Sequence, residues 1–160
     1  DFETDSARYN LKLGYYDGLK ALRGLKGFHY YIEPSYSSDY FMDYLWNLEE
    51  DKIVKLKEIF KIDKNIPSRR ALFEFINPKL SSLLDMDRED DYDEIFYALV
   101  EKLAEIFEIE RFKIYTYDEL TDLVLEKLKL EEKSDEGVID KILSFFGKED
   151  TIKEVGQILL

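Results

Sequence analysis

Cysteine is absent from this sequence, and histidine occurs once, at His29. The first absence excludes a disulfide framework, a thiol nucleophile and every thiolate-held metal. A reducing, cytoplasmic setting is the simplest fit. The second excludes a His-pair metal site and leaves a Ser-His-Asp arrangement without spare partners. Glutamine occurs once, at Gln157, and asparagine is scarce beside abundant Glu and Lys, a bias shared with heat-adapted proteins. No apolar run reaches the roughly 20 residues of a membrane span, and the first residues do not read as a basic-then-apolar leader. The expectation is a chain with no membrane role and no cofactor. Its start at Asp1 and its end on Leu159-Leu160 read as a region cut from something longer, or as a terminus docked in the core.

What is present suffices for a core. Hydrophobic residues make up 45% of the chain, so the 37% of charged residues does not imply disorder. Aromatics are frequent, with 12 Tyr and 11 Phe. Each tyrosine hydroxyl needs an outlet, which places these rings at the rim of the core or on a contact surface. The net charge of −13 is divided unevenly: residues 1–80 hold 13 acids against 13 bases, and residues 81–160 hold 23 against 10. A field that negative repels nucleic acid and anionic membrane from the second half, and attracts basic partners.

The patterning predicts a mainly α fold, a bundle of about seven to eight short helices with one small two-stranded β ribbon. A first helix runs from Asp5-Ser6 to a stop at Gly27, although Gly14, Gly18 and Gly24 each cost it about 1 kcal/mol relative to alanine. Residues 28–33 alternate Phe28, Tyr30 and Ile32 on one face before Pro34, a strand signature whose mate is 111–116, with Phe112 and Ile114 alternating. Ser37 or Ser38 caps a helix carrying Phe41, Tyr44 and Leu45, and Asp51 caps the next, with Ile53 and Leu56 inward. Ser68 opens a helix that Pro78 ends or kinks. Asp91 to Glu108 is the clearest helix, with Ile95, Phe96, Leu99, Val100 and Leu103 at unbroken i, i+3, i+4 spacing.

Thr116-Tyr117-Asp118-Glu119 is a capping box leading into Leu120, Val124 and Leu128. Lys129 to Gly137 reads as a polar connector, Val138 to Phe146 as a helix, and Thr151-Ile152-Lys153-Glu154 as a second capping box. These features suggest two parts, 1–115 with the short strands and a trihelical unit, 116–160, packed on it, or a single domain that comprises both. The segment Thr151–Leu159 resembles the first helix of helix-turn-helix motifs in bacterial transcription regulators. The resemblance covers about ten residues and implies a truncated unit, because no recognition helix follows it in this chain.

Asp1-Phe2-Glu3-Thr4 resembles the motif that opens the DEDD family of 3′–5′ exonucleases. The resemblance implies a strand on which Asp1 and Glu3 point to one side and hold divalent metals for phosphodiester hydrolysis. It covers four residues, and the possible later carboxylates Asp118 and Asp122 fall on a capped helix. The run Asp85 to Glu94 is the densest in acid. As a calcium loop it fails at the sixth position, which is Asp90 instead of glycine, and at the twelfth, which is Phe96 instead of glutamate. As the acidic start of a helix it fits the helix dipole. His29 reads as a surface or edge residue.

The leading functional expectation is a noncatalytic module that binds a basic protein surface, such as an inhibitor, immunity protein, chaperone or nucleic-acid-mimicking decoy of the kind found in phage or plasmid conflict systems. The acidic face expected to meet that partner comprises Asp85, Asp87, Glu89, Asp90, Asp91, Asp93 and Glu94 from the run, and Asp118, Asp122, Glu126, Glu131 and Glu132 beyond it. An aromatic contact is expected from Tyr15, Tyr16, Tyr30, Tyr36 and Tyr40. No direct nucleic-acid binding is expected of the second half. The alternatives are a helical accessory domain of a DNA-transaction protein and, more remotely, a DEDD-like nuclease fragment.

Overall fold

The computed structural model describes residues 1–86, 91–134 and 147–160, and the expected helix 138–146 lies outside them. The described elements are seven helices and two short strands in the order α1 (Phe2–Arg23), β1 (Tyr31–Glu33), α2 (Ser38–Trp46), α3 (Glu50–Phe60), α4, α5 (Tyr92–Ile106), β2 (Ile114–Thr116), α6 (Tyr117–Ser134) and α7 (Lys148–Leu159). Helix α4 is continuous through three segments: an α turn at Ser68–Arg70, a π stretch at Ala71–Ile76 and α again over Asn77–Leu83. The molecule is mainly helical with a small β element, as the patterning predicts.

Helix α5 is the axis of the core. It packs against α2, α6 and α7, while α3 packs against α4 and α7. Ile95, Phe96, Leu99, Val100 and Leu103 are buried, as their spacing requires, and so are Tyr97, Glu101 and Ala104, because neighbours cover α5 on more than one face. Phe41 of α2 stacks on Phe96 at 4.5 Å between ring centroids. Gly156 lets α7 approach α5 closely: a Cβ built there would lie 2.5 Å from Leu103 Cδ1.

The tyrosines find their outlets at the core's edge. The hydroxyl of Tyr30 donates to the Ile109 carbonyl at 2.6 Å, that of Tyr115 to the Glu110 carbonyl at 2.6 Å, and that of Tyr44 to the Leu159 carbonyl at 2.9 Å. Burial together with its bond to Asp17 pushes Tyr31 up to about 12. Burial likewise raises the hydroxyls of Tyr30, Tyr44 and Tyr115.

β1 and β2 pair in parallel, with Tyr31 opposite Ile114, Ile32 opposite Tyr115 and Glu33 opposite Thr116. The ribbon is shorter than 28–33 with 111–116, and its first half does not alternate. Tyr30, Tyr31 and Ile32 are all buried, whereas Phe28 stands in solvent. The cause is the loop before β1, described below.

Capping separates what was read correctly from what was not. Thr116 and Glu119 form the expected reciprocal box, with Thr116 N–H donating to Glu119 Oε2 and Glu119 N–H donating to Thr116 Oγ1, both at 3.1 Å. Ser37 caps α2 through Tyr40 N–H. Thr151 is not a cap: α7 begins three residues earlier, after the extended Gly147, and the Thr151 hydroxyl bonds back to the Gly147 carbonyl inside the helix. Asp51 likewise lies inside α3, which Glu49 precedes.

Pro78 does not end α4. Proline has no N–H and crowds the carbonyl four residues back. The preceding turn widens so that Asn77 N–H donates to the Leu72 carbonyl, and the helix continues. Residues 129–134, read as connector, extend α6.

At the N-terminal end, α1 spans Phe2 to Arg23 and stops at Gly24, which is left-handed at φ 61°, not at Gly27. Asp1 and Glu3 therefore open a helix, with Glu3 N–H donating to Asp1 Oδ1 at 3.2 Å. Side chains two apart on a helix diverge, so the strand geometry implied by the exonuclease resemblance is absent here.

Candidate interaction site

Between α1 and β1 the chain makes a tight loop. Lys26 and Ile32 exchange backbone hydrogen bonds at 2.7 and 3.0 Å and close its base. Gly27 takes φ 101°, which a side chain rarely adopts, and turns the following N–H groups toward the protein. Three successive backbone donors then converge on one carboxylate, that of Glu101 in the middle of α5. Phe28 N–H lies 2.9 and 2.8 Å from its two oxygens, His29 N–H 2.8 Å from Oε1 and Tyr30 N–H 3.3 Å from Oε2. Lys20 donates to the Gly27 carbonyl, and Arg111 Nε donates to the His29 carbonyl at 2.8 Å. The loop is held from α1, from α5 and from the segment ahead of β2.

Glu101 is a buried acid whose partners are mostly backbone. Burial raises its carboxyl above the ordinary 4.5, opposed by the N–H groups of His29, Tyr30 and Phe28 and by Lys20. The desolvation of the charge outweighs the donors that satisfy it. The Phe28 side chain, in contrast, is 97% exposed although its own N–H is locked in place. An aromatic ring is thereby presented to water by a backbone that is itself hydrogen-bonded in place.

Phe28 borders a cleft of about 730 Å³. Its walls are the loop from Leu25 to His29, the end of α4 at Leu84, Asp85 and Met86, and the face of α5 from Glu94 to Glu105. Leu25, Leu84, Met86, Tyr97 and Ala98 give it an apolar lining. Four carboxylates, Asp85, Glu94, Glu101 and Glu105, line it with two ammonium groups, Lys26 and Lys102, a formal balance of −2 with His29 neutral. Part of that charge is engaged: Lys148 bonds both Asp85 oxygens at 3.0 Å and holds that carboxyl below the usual range, while Lys102 lies 3.9 Å from Asp85 and 3.8 Å from Glu105. His29 Nδ1 lies 3.7 Å from Glu105. Among the described residues no three His, Asp or Glu side chains are grouped to hold a metal ion.

The acids expected to form a face fall on separate elements. Asp87, Glu89 and Asp90 lie outside the described residues. Asp91, Asp93 and Glu94 begin α5, where they complement the helix dipole, and Asp93 sits 3.8 Å from Lys26. Asp118, Asp122 and Glu126 run along the exposed side of α6, and the same side continues through Lys129 and Lys133. Asp118 accepts from the Tyr36 hydroxyl at 2.8 Å. Glu131 accepts from Lys153 of α7 at 2.7 Å, and Glu132 is exposed.

Of the expected aromatic contacts, Tyr30 is in the core, and Tyr16 is half-buried against Tyr31 and Phe112. Tyr36 stacks on Tyr40 at 4.3 Å, and Tyr15 and Tyr40 are exposed. The site residues missed by sequence reasoning are Glu101 and Phe28. A faint signal existed for each: Glu101 falls between Tyr97 and Ala104 on the core side of the strongest helix, and Phe28 follows a glycine where the strand pattern starts.

Comparison with protein-family models, curated proteins and solved structures finds no match.

Proposed function

We propose that this protein is a noncatalytic interaction module, and that it takes up a basic protein segment with an apolar anchor in the cleft beside Phe28. The observation that carries this reading is the pairing of a fully exposed phenylalanine with a backbone locked onto a buried carboxylate. A loop whose backbone is already held loses little further backbone freedom on binding, which is how a small contact gains affinity. Large aromatic anchors are also the side chains that dominate interface energetics. The net charge of −13 favours a basic segment, chiefly through association rate and partner choice. An inhibitor, immunity protein or chaperone would use such a surface.

The test is an NMR titration of the ¹⁵N-labelled chain with an amphipathic Lys/Leu peptide and with its Glu/Leu counterpart. The Lys/Leu peptide is expected to shift the amides of 25–29 and 98–105, to bind more weakly as salt rises, and to lose about tenfold in affinity with Phe28→Ala. That variant should keep the wild-type melting temperature, because the ring touches little. Equal binding of both peptides, or shifts confined to other parts of the molecule, would sink the proposal.

A further inference from the structure

Of the carboxylates that line the cleft beside Phe28, all but one are matched within the chain. Asp85 holds Lys148 at 3.0 Å and shares Lys102 with Glu105, at 3.9 and 3.8 Å. Glu101 accepts from the N–H groups of Phe28, His29 and Tyr30. Lys26, the other cation of the lining, lies 3.8 Å from Asp93, which is not itself part of the wall. The remaining acid is Glu94, which makes no hydrogen bond or ion pair to any described residue. It is half-buried, in the first turn of α5.

Its place on α5 sets a spacing. Glu94, Ala98, Glu101 and Glu105 follow one another at intervals of four, three and four residues, so they share one face of the helix. Ala98 stands about 6 Å along the axis from Glu94, and Glu101, which holds the Phe28 backbone, about 10 Å. Leu25, Leu84, Met86 and Tyr97 supply the apolar wall of the same cleft.

We infer that Glu94 reads the cation of the bound segment, so that the cleft selects a Lys or Arg set about 6–10 Å from the apolar anchor. The inference rests on the cleft being the binding site proposed above. A helical ligand meets that spacing with its cation four residues from the anchor, and an extended one with two or three residues between them. Glu94 breaks no existing bridge when a cation arrives, whereas Asp85 and Glu105 would each have to release a lysine. A half-buried carboxylate is also screened less by salt than a fully exposed one. Glu94 complements the dipole of α5 as well, a role that needs no ligand and that the test separates.

Calorimetric titration of the Lys/Leu peptide into wild type, Glu94→Gln and Glu126→Gln tests the inference. The two substitutions remove the same charge from different places, since Glu126 is on the exposed side of α6. Both variants are expected to keep the wild-type circular dichroism. Glu94→Gln should weaken binding about fivefold, and Glu126→Gln by less than about twofold. Replacing the peptide's lysines by glutamine one at a time then locates the partner. One such peptide should bind wild type about fivefold more weakly than the parent, yet bind Glu94→Gln as well as the parent does. A role confined to the helix dipole leaves that coupling at zero and overturns the inference. Equal effects of the two substitutions, or a loss shared evenly by every lysine, overturn it too, because either means attraction by net charge alone. Those results leave the cleft as the binding site. Amide shifts confined to other parts of the molecule remove the site itself, and the inference with it.

Discussion

Glu101→Ala should destabilise the protein by about 3 kcal/mol, the order expected when a buried charged partner is deleted and its donors are left behind. For a chain of this size that corresponds to a fall of roughly 6–12 °C in unfolding midpoint. Three backbone N–H groups, those of Phe28, His29 and Tyr30, lose their acceptor at once. Relief of the desolvated charge returns part of the cost, as the raised carboxyl of Glu101 implies. Glu101→Gln keeps one acceptor oxygen and should lose less, about 1–2 kcal/mol.

The two variants also separate by pH. An acid whose carboxyl is raised in the fold contributes most below its ordinary value of 4.5, and that contribution is lost as pH rises through the raised value. Glutamine does not titrate. The stability gap between wild type and Glu101→Gln should therefore narrow as pH climbs from about 4.5, read by urea unfolding across the series. A gap that widens would mean that Glu101 is stabilised as a charge, with the N–H groups outweighing burial.

Gly27→Ala should cost about as much, about 3 kcal/mol, whereas Gly24→Ala should cost nearer 1 kcal/mol. Both glycines have positive φ, at 61° for Gly24 and 101° for Gly27. Around Gly24 a Cβ meets nothing within 4 Å, so only the left-handed backbone is penalised. At Gly27 it would lie 2.5 Å from Glu101 Oε2 and 2.6 Å from the Tyr30 carbonyl. The first contact displaces the carboxylate from its donors, and the second presses on backbone that cannot yield. Chemical denaturation of the two variants measures the difference. Equal losses would show that the loop relaxes freely around position 27, contrary to a tightly held latch.

Local codes were legible in the sequence, and most contacts across the fold were not. The Thr116–Glu119 box and the Ser37 cap involve groups three residues apart, and both form. The apolar period of α5 placed its core face correctly because a helix repeats its own geometry. The pairing of the two short strands was also visible, with Tyr31 opposite Ile114 inside the expected ranges.

Failures arose where another element intervened. Phe28 alternates with Tyr30 and Ile32 in the sequence, but Glu101, 73 residues away, bends their backbone so that Phe28 leaves the pattern. Thr151-Ile152-Lys153-Glu154 has the letters of a capping box, yet burial of Ile152, Val155 and Leu159 against the core carries the helix back to Lys148. Charge was least informative about place: Asp85, Asp93 and Glu131 each neighbour a lysine distant in sequence, which a count of residues does not reveal.

Native-state hydrogen exchange at Phe28, His29 and Tyr30 tests the central claim, that a buried carboxylate holds this loop rigid behind an exposed phenylalanine. A surface loop with free amides exchanges through fluctuations of nearly zero free energy, whereas amides broken only by wider unfolding approach the global stability. The three amides are expected to be protected to a similar degree as the core of α5, and to lose that protection in Glu101→Ala. Rapid exchange of all three in the wild-type protein would contradict the latch.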